Sequence, residues 1–133
     1  MKTVFADTFF WIALVSQRDA AHGRAIDVVQ GQSYRMVTTE WVLTEVADGF
    51  SQTRHRHLVE QLRQLWKSDP NLRIVEASHD LYERGLDLFC SRPDKDWSLT
   101  DCISFVVMKE EAIAAALSAD HHFEQAGFVS LLK

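Results

Sequence analysis

Apolar runs of strand length alternate along this chain with stretches whose apolar residues recur at helical spacing. Five short runs predict strands, at residues 3–6, 34–38, 72–76, 113–117 and 128–131. Helical periodicity fills most of the gaps, and strands that alternate with helices predict an α/β fold with a mainly parallel sheet. Ligands of such sheets bind beyond the carboxyl ends of the strands, so we expect the functional site at that edge.

Three longer stretches predict individual helices. Residues 54–67 carry one apolar stripe against a polar remainder, which predicts a helix on the surface. Residues 98–112 are apolar on opposite faces and end in the charged run 109–111, which predicts a largely buried helix. Residues 39–50 predict a third helix, with Val42 on its buried stripe.

The length and the composition favour one cytoplasmic domain. A chain of 133 residues with 47% hydrophobic content fits a single globular domain, 1–133, and no linker or repeat divides it. Its two cysteines, Cys90 and Cys102, do not suggest a disulfide framework or a structural zinc site. The early apolar run 9–15 is too short for a membrane span of roughly 20 residues, so we expect a soluble, cytoplasmic protein without a membrane anchor.

The net charge restricts how the protein can bind a nucleic acid. Fourteen basic and 19 acidic residues give −5 at pH 7, whereas nucleic-acid binders usually carry a basic excess. A polyanionic substrate therefore needs a local basic face or bound cations, and a divalent metal ion reverses the field of its own site.

Four acidic residues are predicted to converge at the carboxyl edge of the sheet. Asp7 follows the first predicted strand and Asp120 follows the fourth. Asp101 lies in the first turn of the buried helix, and Glu45 borders the apolar stripe of the helix at 39–50. At a separation of about 5 Å, each ionised pair would repel by roughly 3 kcal/mol at an effective dielectric of 20. Raised pKa values relieve this repulsion, and so do bound Mg²⁺ or Mn²⁺, which prefer oxygen ligands.

Each of these acids also has an ordinary structural explanation. Asp7 and Asp120 fit as N-caps of the helices that follow their strands. A capping box with the serine three residues earlier explains Asp101, and its charge suits the helix dipole. Glu45 fits a solvated helix margin, and helix geometry alone does not prefer it to Glu40. The coincidence of four acids at one edge is what favours a functional interpretation.

Four strings, VFADTFFWIAL, TTEWVLTEVAD, DWSLTDCISFVVM and ALSADHHFEQAGF, together resemble a PIN-domain nuclease. The resemblance covers nearly the whole chain. It places the first aspartate of the family at Asp7, the helical glutamate at Glu45, the third acid at Asp101 and the fourth at Asp120. Asp96, five residues before the third acid, is a weaker candidate for the same site.

The resemblance implies a Rossmann-like three-layer α/β/α fold and Mg²⁺- or Mn²⁺-dependent cleavage of RNA. Small single-domain members are often toxins of VapBC-type toxin-antitoxin pairs. Toxins of this kind usually form homodimers and bind a short antitoxin. One departure is visible at Ser118, where many relatives carry threonine. The hydroxyl is retained, so Ser118 is predicted as an accessory residue that hydrogen-bonds a carboxylate or a water molecule.

Two basic groups are candidates for RNA contacts. Arg92 and Lys95 lie in the loop SRPDKDW just before the third acid, so we expect them to flank the crevice and contact the RNA backbone. The denser basic run at residues 54–57 has the simpler explanation of a solvated helix face.

Histidine and tryptophan side chains offer weaker signals. His121 and His122 are adjacent, which is not a usual zinc-ligand spacing, so surface or capping roles are expected for them. Most tryptophans fall in or beside apolar helical stripes, and Trp97 is the one retained as a candidate for stacking on RNA bases.

The primary hypothesis is an endoribonuclease in which the four acids hold one or two cations that activate water for attack on the phosphodiester. A Mg²⁺-binding phosphoacceptor signalling domain is a rival of similar length, but it usually has paired acids after strand one and an acceptor aspartate after strand three. Here Ala6 precedes Asp7 and residues 76–78 read Glu-Ala-Ser. A PIN-like module that only binds proteins is the third possibility, and retention of all four acids argues against it.

Overall fold

A computed structural model describes all 133 residues of the chain and contains one five-stranded sheet. The strands are β1 Lys2–Ala6, β2 Tyr34–Thr39, β3 Leu72–Val75, β4 Ala115–Leu117 and β5 Val129–Ser130. Their order in the sheet is β3-β2-β1-β4-β5, and every neighbouring pair is parallel. The predicted parallel α/β fold is therefore confirmed.

Seven α-helices connect and cover the strands. They are α1 Thr8–Val15, α2 His22–Gly31, α3 Glu40–Gly49, α4 Arg56–Ser68, α5 His79–Ser91, α6 Leu99–Glu110 and α7 His121–Gln125. The three predicted helices correspond to α3, α4 and α6, and a 3₁₀ turn at Thr53–His55 replaces the predicted start of α4. Helix α6 packs against α5, α3 and α7, while α1 contacts α2, α3 and α4.

The direction in which the chain adds strands reverses between β1 and β4. From β1 the chain builds outward through β2 to β3, then returns to place β4 on the other side of β1. Such a reversal opens a crevice at the carboxyl ends of the two central strands, because the connections on either side lead away from each other. Asp7 directly follows β1, and Ser118 directly follows β4.

Burial explains the two contrasting helix patterns in the sequence. The last three residues of β1 and all of β4 are 0% exposed, so the sheet centre forms the core. Helix α6 buries seven of its 12 residues, which accounts for its apolar side chains on opposite faces. Helix α4 buries only Leu62, as expected for a surface helix. None of the helices combines the length and the apolar character that a membrane span requires.

Three strands are shorter than the sequence predicts: β3 ends one residue early at Val75, and β4 and β5 each lose two residues. Strand β4 begins two residues late, because Ala112 adopts a positive φ of 55° and the amide of Ile113 donates to a carbonyl of α6 at 2.8 Å. These residues end the helix and are not available to the sheet. Strand β5 has two residues, because the amide of Phe128 donates to a carbonyl of α7 at 2.9 Å.

Gly85 permits the close packing of α5 on α6, and its replacement provides a test of the fold. A Cβ atom at Gly85 would lie 2.3 Å from Cγ1 of Ile103, which is fully buried. We expect Gly85→Ala to lower the free energy of unfolding by about 1–3 kcal/mol in urea titrations, since overpacking forces a shift of backbone or rotamer. Gly23→Ala is the control, because nothing lies within 4 Å of a Cβ there. Equal stability of the two variants would contradict this account.

Candidate active site

Asp7 is the most buried acid of the predicted cluster, with only 6% of its surface exposed. Its Oδ2 accepts a hydrogen bond from the Ser118 hydroxyl at 3.1 Å. Although Asp7 occupies the N-cap position of α1, its side chain makes no capping hydrogen bond. Asp7 therefore occupies the predicted N-cap position, but its carboxylate does not cap α1 and accepts from Ser118 instead.

Burial raises the pKa of Asp7 to about 7 from an ordinary value of 3.8. Repulsion from Asp101 and Glu45 raises the pKa further, while the backbone N–H of Thr8 and the hydroxyl of Ser118 lower it. Two carboxylates that act on Asp7 electrostatically come from α6 and α3, so the fold brings three of the four predicted acids together. The raised pKa of Asp7 is the electrostatic cost that the sequence predicts for such a cluster.

Asp101 is held at the start of α6 by a reciprocal capping box. Its amide donates to Oγ of Ser98 at 3.0 Å, and its Oδ2 accepts from the Ser98 amide at 3.1 Å. The same Oδ2 accepts from Nδ1 of His122 at 2.9 Å. The structural explanation of Asp101 is thus correct and compatible with a functional one, because capping fixes the carboxylate at the crevice.

Asp120 caps α7 and is tied to the other central strand through one serine. Its Oδ1 accepts from the His122 amide at 2.9 Å. Its own amide donates to Oγ of Ser118 at 3.0 Å, and that hydroxyl donates to Asp7. Ser118 therefore links the ends of β1 and β4 through a single buried oxygen.

Glu45 is distinguished from Glu40 by the structure, although the sequence left the choice open. The Thr8 hydroxyl donates to Oε1 of Glu45 at 2.6 Å, next to Asp7. Glu40 is exposed and accepts from the Ala77 amide beyond β3. Glu45 joins the crevice, and Glu40 fixes the β3–α5 connection.

The loop before α6 does not join the hydrogen-bonded cluster. Asp96 is exposed and makes no side-chain hydrogen bond. Both Arg92 contacts to Asp94 measure 3.0 Å, and Lys95 lies 3.8 Å from the same carboxylate. The hydrogen bond from Arg92 lowers the pKa of Asp94 to about 2. Both predicted RNA-contacting cations are thus partly balanced within the loop.

Trp97 is part of the core. It is 5% exposed, its Nε1 donates to Gln125 at 3.0 Å, and its ring meets Phe105 edge to face. The Arg92 guanidinium lies 5.1 Å from the ring centroid. Little surface remains for a nucleotide base, so the structure does not support base stacking by Trp97.

His122 is the site residue that the sequence analysis missed. Its imidazole lies between Asp101 and Asp120, with 18% of the side chain exposed. The expected capping role is met by its backbone amide alone. Since its partner on α6 lies 21 positions earlier, no local pattern in the sequence could reveal the contact.

The donor set suits a hard divalent cation. The cluster offers carboxylate oxygens from four elements, and Mg²⁺ and Mn²⁺ are bound by such ligands and water. A buried carboxyl whose pKa is raised by burial and by neighbouring carboxylates is stabilised as the anion by a nearby cation. Asp120, His121 and His122 also place ligand atoms within 4.8 Å of one another, but imidazole nitrogens suit zinc, copper, iron or nickel better than Mg²⁺ or Mn²⁺.

The largest cavity of the molecule lies elsewhere. It measures about 590 Å³ at the amino ends of the strands, where Lys2 and Arg35 line it. Its single acid, Glu111, is paired with Arg73. Because no carboxylates converge there, we assign the candidate active site to the acidic crevice and not to the largest cavity.

The sequence matches a family model described as the PIN domain over residues 4–129. The chain belongs to the PIN-domain family. This PIN domain is 28% identical over 128 residues to a protein of Mycobacterium tuberculosis named 23S rRNA-specific endonuclease VapC20, in strains H37Rv and CDC 1551. The match covers 96% of this chain and 97% of the relative.

Solved structures share the fold of this PIN domain. The crystal structure of M. tuberculosis VapC20, described as a sarcin-ricin loop cleaving toxin, aligns with a TM-score of 0.86 and 26% identity, covering 96% of this chain and 98% of that one. VapBC2 from Rickettsia felis, bound to a promoter DNA fragment, aligns with a TM-score of 0.68 and 11% identity, covering 96% of each chain. FitAcB from Neisseria gonorrhoeae has a TM-score of 0.64 and 12% identity, with coverage of 96% and 95%. The predicted resemblance to VapC-type PIN domains and the predicted fold are confirmed.

The pKa of Asp7 predicts how the stability of the metal-free PIN domain depends on pH. Between about pH 4 and 7 the folded state keeps a proton on Asp7 that the unfolded chain has released, so this contribution to stability is lost as the pH rises. Between pH 5 and 8 the loss amounts to about 2.5 kcal/mol. We expect urea unfolding in chelator to show this decline in the parent protein and not in Asp7→Asn. Parallel pH profiles would contradict the raised pKa.

Proposed function

We propose that this PIN domain is an endoribonuclease that hydrolyses RNA phosphodiester bonds with Mg²⁺ or Mn²⁺ held by Asp7, Glu45, Asp101 and Asp120. The observation that carries the proposal is the burial of Asp7 beside acids from two other elements, Glu45 on α3 and Asp101 on α6, because burial and their repulsion raise its pKa to about 7. A carboxylate cluster with this electrostatic cost stabilises the fold poorly but binds a divalent cation well.

The hydrogen bonds leave one oxygen open on each of three acids. Glu45 is engaged through Oε1, Asp101 through Oδ2 and Asp120 through Oδ1. Their other oxygens make no hydrogen bond and are the ones we assign to the cation. Ser118 is proposed as an accessory residue that orients Asp7, whereas Asp96 has no contact that supports its predicted accessory role.

The carboxylates and their partners would carry out distinct parts of hydrolysis. A bound divalent cation supplies positive charge to the phosphodiester and makes water at the site more acidic. Thr8 and Ser118 hold Glu45 and Asp7 in fixed orientations, so the ligands need little rearrangement when the cation enters. The half-buried Glu45 would bind the cation through its free Oε2, while the Thr8 hydroxyl fixes the orientation of the carboxylate.

The RNA is proposed to bind across the carboxyl edge of the sheet. Arg92 and Lys95 lie in the loop that precedes Asp101, and we propose that they contact phosphates when RNA displaces their pairing with Asp94. Because VapC20 of M. tuberculosis is named a 23S rRNA-specific endonuclease and described as a sarcin-ricin loop cleaving toxin, the sarcin-ricin stem-loop is the first RNA to test.

The phosphoacceptor alternative conflicts with the topology. An acceptor aspartate would have to follow β3, and β3 is the edge strand, two positions from β1. The residues that follow β3, Glu76 to Ser78, are exposed and lie away from the crevice between the ends of β1 and β4. A module that only binds proteins would have no need of four acids at that crevice.

RNA cleavage with and without chelator tests the proposed function. We expect Mn²⁺-dependent cleavage by the parent protein, and a loss of roughly 100-fold or more in Asp7→Asn and Asp101→Asn, since each variant removes charge that binds the cation. Glu45→Gln and Glu40→Gln form a matched pair on one helix. The first should lose activity and the second should retain it.

Two results would refute this assignment. Cleavage that continues in chelator would exclude a metal-dependent reaction. Equal activity of Glu45→Gln and Glu40→Gln would show that Glu45 is not part of the active site.

We also propose that the protein is the toxin of a VapBC-type pair, that it forms a homodimer and that it binds a small antitoxin. Exposed apolar side chains at Tyr82, Phe89 and Val129 are available for protein contacts. Induced expression should arrest bacterial growth, and co-expression with a small antitoxin encoded beside the gene should restore it. Arrest that persists in Asp7→Asn, or no arrest with the parent protein, would refute the toxin role.

A further inference from the structure

The imidazole of His122 occupies a position that capping of α7 does not explain. The backbone amide of His122 caps the helix by donating to Asp120 at 2.9 Å, and this contact needs no side chain. The ring nevertheless lies over the cluster, with Nδ1 2.9 Å from Oδ2 of Asp101 and 3.4 Å from Oδ1 of Asp120. Its side chain is 18% exposed, against 70% for His121.

The hydrogen-bond partners of Nδ1 determine whether this nitrogen carries a hydrogen. Both neighbouring atoms are carboxylate oxygens, which accept and do not donate when ionised, so Nδ1 carries the proton. Asp101 and Asp120 belong to different elements, α6 and the turn that follows β4. The N–H group of His122 therefore links Asp101 and Asp120, which are not joined by any backbone hydrogen bond.

We infer that His122 is a positioning residue that orients the carboxylates of Asp101 and Asp120, so that the second oxygen of each faces a divalent cation. By occupying Oδ2 of Asp101 and approaching Oδ1 of Asp120, Nδ1 leaves Oδ1 of Asp101 and Oδ2 of Asp120 open. Hydrogen bonds of this kind fix the rotamers of metal ligands, and their loss typically weakens metal binding about 10- to 100-fold. The inference rests on the proposed function, because it concerns the same cluster.

The neighbouring histidine provides the matched control. His121 lies 3.5 Å from Oδ1 of Asp120, is mostly exposed and makes no contact with Asp101. If charge near Asp120 were sufficient, both histidines would contribute. If the link between the two acids matters, only His122 contributes.

Mn²⁺ binding by calorimetry tests the inference without relying on activity. His122→Ala removes the ring, and His122→Phe keeps its shape without the N–H group. We expect both to weaken Mn²⁺ affinity about 10- to 100-fold. His122→Asn places an amide donor near the position of Nδ1 and should remain within about threefold of the parent protein, as should His121→Ala.

Cleavage assays separate positioning from substrate contact. In His122→Phe, half-maximal cleavage should require about 10- to 100-fold more Mn²⁺, while the KM for RNA at saturating Mn²⁺ stays near the parent value. Circular dichroism in chelator verifies that each variant is folded, and the isosteric Phe variant replaces the Ala variant if the latter unfolds.

The outcomes distinguish this inference from the proposed function. Parent-like Mn²⁺ affinity in the Ala or Phe variant, or a defect in His122→Asn equal to that of Phe, would overturn the role of His122 while the nuclease assignment stands. A parent protein that binds no Mn²⁺ would overturn both.

Discussion

Negative charge confined to a buried crevice is the constraint on which the rest of this structure depends. A carboxylate that is 6% exposed and surrounded by other acids loses hydration without gaining a cationic partner from the protein. The raised pKa of Asp7 expresses that cost directly. A fold tolerates such a site when a ligand of opposite charge stabilises the folded state by binding to it. The arrangement of strands, caps and hydroxyls around Asp7 is consistent with that requirement.

The fold concentrates these acids through topology and holds them through short polar links. Reversal of strand order places the ends of β1 and β4 side by side, which brings Asp7 within reach of Ser118. The capping box of α6 and the N-cap of α7 would form in many proteins, yet here they also fix Asp101 and Asp120 at the crevice. Local helix chemistry and the functional site therefore use the same side chains.

The sequence predicted the five strands, the buried helix and the positions of Asp7, Asp101 and Asp120 at strand or helix ends, because these depend on periodicity and on position relative to strand ends. It could not decide between Glu45 and Glu40, since the Thr8 hydroxyl that contacts Glu45 is 37 positions away. It likewise missed His122, whose partner Asp101 lies on another helix. It also left Trp97 open for RNA, although packing against Phe105 buries that ring. Contacts between distant segments decide these cases, and no local pattern encodes them.

The most direct test of the central claim is anomalous diffraction from crystals of the protein grown with Mn²⁺. The account predicts a strong anomalous peak in the crevice, within roughly 2.5 Å of carboxylate oxygens of Asp7 and Asp101. A crevice without such a peak, in crystals that show Mn²⁺ bound only at other acidic groups, would contradict it.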